Sequence, residues 1–229
     1  MLIAALLPAF LLWLYIWKKD TQKEPTSWLL KAVAWGVGII SPVVIVEKLI
    51  GMVLFGENGS PTTLVGTTAM AFLVAAIPEE LFKLLALRMV LKNNPFFDEH
   101  FDGIVYAVCV GLGFAAVENV AYVFSHEDWA SVAIARSLLA VPGHYAFAVL
   151  MGYYYSVYHF VDRSPKTAAC VLLMPIFAHG VYDALAMSSL VNEVVGSIGF
   201  VVLIIFCLKL HKRASAKVLA LIEKVKKWD

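Results

Sequence analysis

Apolar residues gather into seven stretches, at about 1–17, 28–54, 63–91, 103–124, 130–160, 167–188 and 194–210, separated by short polar segments. A helix crosses the hydrocarbon core of a bilayer with about 20 mainly apolar residues, so the pattern predicts seven transmembrane helices. The first stretch is short and the third and fifth are long, which predicts tilting or a break within them. Basic residues fall in alternate loops. Lys18, Lys19 and Lys23 lie in the first, Lys92 (with Arg88 just before it) in the third, Arg163 and Lys166 in the fifth, and a basic run from Lys209 to Lys227 follows the last stretch. The loops at 55–62, 125–129 and 189–193 hold no lysine or arginine. Positively charged loops face the cytoplasm, so the expected fold is an all-α polytopic bundle with its N-terminus outside and its C-terminus cytoplasmic.

The opening stretch has its lysines behind it rather than in front, and no small-residue cleavage site follows. That is the reverse of a secretory signal, and residues 1–17 are expected to be a first span. Residues 1–210 are read as one transmembrane catalytic domain and 211–229 as a basic tail. In the tail Val218, Leu221, Ile222 and Val225 recur at helical spacing beside Lys217, Lys224 and Lys227, the pattern of an amphipathic helix lying on an anionic leaflet.

Composition agrees with the pattern. Of 229 residues, 61% are hydrophobic and only 15% charged, where soluble domains carry about 25% charged. The mean hydropathy is +0.81. A formal charge of +1 gives no reason to expect a nucleic-acid partner. Cys109, Cys170 and Cys207 sit inside apolar stretches without metal-binding spacing and read as packing residues.

Ionisable residues deep in a span cost roughly 2.5–3.5 kcal/mol each and normally face a bundle interior or a wet cavity. The third stretch carries Glu79, Glu80 and Lys83. Glu79 and Lys83 share a helix face at i,i+4, and Glu80 reaches Lys83 at i,i+3. Two carboxylates beside one ammonium form a plausible general acid–base pair, although an internally neutralised patch would look the same. In the fourth stretch Glu118 has no basic residue three or four positions away, so its partner must come from another helix, and Asn119 adds a donor and an acceptor. Gly111, Gly113, Ala115 and Ala116 allow a neighbouring helix to approach closely. The fifth stretch contributes His144. The sixth contributes His179 and Asp183 at i,i+4, where the carboxylate can orient the imidazole. Pro78, Pro142 and Pro175 each stand just before one of these sites and are expected to loosen the helix. Together they predict one wet cavity built from stretches three to six. Glu47, Lys48 and Arg136, near outer ends of spans, read as structural.

The Glu79-Glu80-x-x-Lys83, Phe114-x-x-x-Glu118-Asn119 and His179-x-x-x-Asp183 motifs, with the segment around His144, resemble the PrsW family of intramembrane proteases over residues 70–185. The resemblance implies a glutamic-type endopeptidase of the bacterial cell membrane, related to the CAAX prenyl proteases. It implies cleavage of a single-span anti-sigma factor in envelope-stress signalling. It makes Glu79, Glu80 and His179 catalytic and Glu118, Asn119, His144 and Asp183 site members; the working mechanism built on them takes Glu80 as the first choice of base, with His179 and Asn119 on the oxyanion and Glu118 and His144 holding the water or the leaving amine. Lys83 and Glu118 stand where the CAAX enzymes have Arg and His, which favours the PrsW side of the group. No cofactor is expected on this reading. The alternative is a Zn²⁺ site on His144, His179, Glu118 and Glu79 or Glu80, without any H-E-x-x-H. A rival from another class is a proton-coupled transporter or channel using the same acidic and imidazole groups as a relay. A structural membrane scaffold is the plainest reading of all.

Overall fold

The computed structural model describes residues 1–56 and 60–225, with side chains to Val218 in the last helix. Among the described residues ten α-helices follow one another: α1 Leu2–Lys19, α2 Thr26–Gly38, α3 Ile40–Phe55, α4 Leu64–Ala69, α5 Ile77–Leu91, α6 Asp102–Ser125, α7 Trp129–Leu138, α8 Ala140–Phe160, α9 Pro165–Ala186 and α10 Glu193–Val225. A π-helical segment, Met70–Ala76, joins α4 to α5, and a 3₁₀ turn, Met187–Leu190, follows α9. Among the described residues there is no strand.

Proline chemistry sets where the long apolar stretches break. Pro42 and Pro142 have no N–H to bond the carbonyls four residues back, those of Gly38 and Leu138, and α2 and α7 end at those two residues. Pro78 stands just after the π-helical segment, whose widened turns let the Ile77 N–H bond to the Phe72 carbonyl five residues back. The expected loosening is therefore found at Pro78 and Pro142. At Pro175 it is not, because that proline lies inside an uninterrupted α9.

Among the described residues six helical stretches are long and apolar enough to cross a membrane: Leu2–Lys19, Thr26–Phe55, Asp102–Ser125, Trp129–Phe160, Pro165–Leu190 and Glu193–Val218. The seventh expected span, at about 63–91, is not among them: there the chain is divided into the short α4, the π-helical Met70–Ala76 and the 15-residue α5. The protein is a multi-pass membrane protein.

Helix α6 is the axis of the bundle and is buried continuously from Asp102 to Ala115. It packs against α1, α2, α5 and α8. Small residues make this crowding possible. A Cβ added to Gly113 would strike the backbone of Val33 in α2, and one added to Gly36 would strike that of Val110 in α6. Gly111 packs against the Ala148 methyl of α8. The outer helices present Ile45 and Val53 of α3 and Ile198 and Leu208 of α10 as exposed apolar side chains suited to lipid.

The tail is continuous with the bundle. Helix α10 runs without a break through residue 210, Ala214 and Val218 are buried, and the Lys217 ammonium lies over the rings of Tyr153 (3.5 Å) and Tyr154 (4.6 Å) of α8. The expected amphipathic positions Leu221, Ile222, Val225, Lys224 and Lys227 lie outside the described side chains.

Candidate active site

The expected polar residues come together around the start of α5. Glu79 and Glu80 occupy its first turn and Lys83 the next. The Lys83 ammonium is buried, donating to Glu79 Oε2 and to Glu80 Oε1, each at 2.9 Å, and facing His144 Nδ1 at 3.1 Å. It also lies 4.3 Å above the Phe114 ring. An ammonium can only donate, so His144 Nδ1 accepts and the ring's proton sits on Nε2, which donates to Glu118 Oε2 at 2.9 Å.

His179 stands on the opposite wall, on α9. Its Nδ1 lies 2.9 Å from Glu80 Oε1, and its Nε2 lies 3.2 Å from Asp183 Oδ2 and 3.9 Å from Glu79 Oε1. Phe147 stacks on the imidazole at 4.7 Å and 18°. The i,i+4 pairing of His179 with Asp183 is present as the spacing predicts. The π-helical segment holds this wall in place: the Phe72 ring lies flat against Gly180, where a Cβ would collide with it.

These groups line a cavity of about 670 Å³, within the usual range for ligand sites. Glu79, Glu118, His144, His179 and Asp183 all face it. Glu80 does not. It is fully buried beneath the wall, and its Oε2 has no hydrogen-bond partner among the described residues. Asn119 also points away: its Nδ2 donates to the Ala5 carbonyl of α1 at 2.6 Å and its Oδ1 accepts from Arg136.

Two cavity residues escaped the sequence reading. Arg136, read as an outer structural charge, donates from Nη2 to Glu118 Oε2 at 2.7 Å and from Nε to Asn119 Oδ1 at 2.8 Å. It is, with His144, the cross-helix partner that Glu118 required. The signal was present: an intramembrane carboxylate without a local cation and an intramembrane arginine without a local anion call for each other. Glu47 of α3 also lines the cavity.

A helical membrane bundle that spends its scarce ionisable residues on one buried carboxylate–imidazole cavity has the features of a membrane-embedded hydrolase. Comparison with known proteins gives that class a family. The model described as "PrsW family intramembrane metalloprotease" matches residues 24–208, and the chain belongs to that family. It is 34% identical over 187 residues to a protein named "Protease PrsW" from Geobacillus kaustophilus, covering 81% of this chain and 79% of that one. It is 33% identical to the proteins of the same name from Clostridioides difficile (81% and 78% covered) and Bacillus subtilis (79% and 79% covered). No solved structure matches the chain. By family the protein is an intramembrane protease.

The family description names a metal, and the residues can be tested against it. Glu79, His144 and His179 offer ligand atoms that all lie within 4.8 Å of one another. One carboxylate and two imidazoles are a donor set that zinc takes in catalytic sites. Each imidazole also turns a nitrogen towards a further carboxylate, His179 Nδ1 to Glu80 and His144 Nε2 to Glu118, as ligating histidines usually do. The set therefore fits a zinc ion in donor chemistry. The point of competition is Lys83, whose ammonium takes the His144 Nδ1 lone pair in this arrangement.

Proposed function

We propose that the protein hydrolyses a peptide bond of a single-span membrane protein, with Glu79 as the general base. The observation that carries this reading is the convergence of Glu79, His144 and His179 on one cavity within a bundle of membrane helices. Glu79 faces the cavity and Glu80 does not, so the base is assigned to Glu79. Glu80, held by Lys83 and His179, fixes both of those groups. Glu79 takes a proton from water as the water's oxygen bonds to the scissile carbonyl carbon. It then delivers that proton to the departing amine as the C–N bond breaks. On this reading His179, oriented by Asp183, is the donor to the developing oxyanion. On this reading the enzyme is of the glutamic type and needs no cofactor.

A second reading is favoured by the Glu79–His144–His179 cluster and the family description. Bound there, zinc would supply a Lewis acid and an activated water. A chelator decides between the two: loss of cleavage restored by Zn²⁺ alone supports the metal, and undiminished cleavage supports Glu79 unaided.

The resemblance noted in the sequence supports an anti-sigma factor as substrate, regulated proteolysis in envelope stress as the setting and the bacterial cell membrane as the location; the alternation of basic loops supports an N-terminus outside. Family membership speaks against the transporter and scaffold readings. Mass spectrometry of newly formed protein termini, in membranes carrying wild type or Glu79→Gln, tests the proposal. A single-span protein that loses a defined terminus only in the variant is the expected result. Identical termini in both membranes would overturn it.

A further inference from the structure

Arg136 belongs to none of the motifs, yet it touches Glu118, a carboxylate that faces the cavity. It sits near the end of α7, the ten-residue half-helix Trp129–Leu138 that Pro142 separates from α8. From there its guanidinium reaches three residues of α6 at once: Glu118 through Nη2 (2.7 Å), Asn119 through Nε (2.8 Å) and the face of the Tyr122 ring (3.9 Å to the centroid). Asn119 passes the restraint on to the Ala5 carbonyl of α1. The oxygen of Glu118 that Arg136 holds, Oε2, is the one that accepts from His144 Nε2.

We propose that Arg136 is a positioning residue for the hydrolytic reaction: it fixes Glu118, and through Glu118 it fixes the orientation and tautomer of His144. A carboxylate with one fixed oxygen can bond His144 in one place only. Without the guanidinium the Glu118 side chain has its other rotamers open, and the imidazole loses its anchor. The planar fork of arginine suits this task because it serves two acceptors in set directions while stacking on an aromatic ring, which a lysine cannot do. This role rests on the protease reading above.

The test uses purified full-length protein in detergent micelles with a quenched-fluorescent peptide library as substrate. Arg136→Ala is expected to lower kcat by about 10²-fold, the scale of a slight misplacement of a reacting group, with kcat/KM falling in parallel. Millimolar guanidinium ion is expected to restore part of the rate to Arg136→Ala and to do nothing for Glu79→Gln. On a Glu118→Gln background, Arg136→Ala is expected to add no further loss, because both changes remove one unit. Losses that simply add in the double variant, or a rise in KM alone, would overturn the assignment. So would loss of the thermal unfolding transition in Arg136→Ala with no guanidinium rescue, which would make Arg136 only a structural clamp. If wild type and Glu79→Gln are equally silent on the library, the protease reading fails and this role fails with it. If wild type cleaves and Arg136→Ala matches it, only the Arg136 role fails.

Discussion

Two groups of buried acids lie along α6, and they are handled in opposite ways. Around Glu118, four carboxylates on or under the cavity are met by a cation or an imidazole: Glu79 and Glu80 by Lys83 and His179, Glu118 by Arg136 and His144, and Asp183 by His179. About 24 Å away along the helix, at 1.5 Å per residue, stands Asp102. Its Oδ2 accepts the N–H groups of Asp98 (3.0 Å) and Glu99 (2.7 Å). Beside it, Glu24 of the α1–α2 loop accepts the hydroxyl proton of Tyr106. Neither Glu24 nor Asp102 has an ion-pair partner among the described residues. Burial, with the nearby charges of Asp20 and Asp98, pushes the Glu24 carboxyl up to about 7 despite the Tyr106 and Asp102 bonds that favour its charged form. Burial raises Asp20 of the same loop as well. A membrane protein can thus keep buried acids by pairing them with cations and imidazoles, which aims them, or by giving them uncharged donors, which ties a loop to a helix. On the proposed function the first solution serves chemistry and the second serves the fold.

The comparison can be broken most directly at Glu79. Glu79→Gln should cut the turnover rate by about 10²–10⁴-fold, whereas Glu24→Gln should leave it at the wild-type level; parallel cleavage assays of the two variants check this. If they lose activity equally, the division of roles is wrong. Next in size is Lys83→Met, which strands two carboxylates that the ammonium now holds. It should destabilise the protein by about 3–5 kcal/mol, read from denaturant-induced unfolding in micelles, and a loss under about 1 kcal/mol would mean the charges were not paired in the bundle. The smallest effect concerns pH. The folded-state pKa of Glu24 lies above its unfolded value near 4.5, so the folded state holds the extra proton between those values. Its contribution is therefore most favourable below about pH 4.5 and declines as pH rises towards about 7. Stability should fall between pH 5 and pH 7, and Glu24→Gln should flatten that slope. An unchanged slope would remove Glu24 as its source.

Much of this was legible in the sequence because it is local. Hydrophobic runs announced the spans, and i,i+4 spacing announced the Glu79–Lys83 and His179–Asp183 pairs. The isolation of Glu118 announced that a partner would come from elsewhere. What spacing could not supply was which distant residue answers. Arg136 meets Glu118 only because Pro142 ends α7 where it does and α7 folds back on α6. Nor could spacing separate Glu79 from Glu80: they point about 100° apart on the helix, and only the neighbouring walls decide which one faces the cavity. The tail was ambiguous for a related reason. An amphipathic pattern fits a leaflet surface and a helical bundle equally well, and Lys217 lies over Tyr153 and Tyr154 rather than out in solvent.

The π-helical turns of Met70–Ala76 act as a gear between two halves of one helix. Relative to an ordinary α-helix they hold a residue more per turn, so the Glu79–Glu80–Lys83 face is rotated by about 100° for each such residue. Deleting one alanine from this segment would let the chain rewind to regular pitch. Every polar side chain of the cavity would survive, but Glu79 would swing off its wall and the Phe72 ring would leave Gly180. The register of the cavity is thus set by a count of residues as much as by their identity.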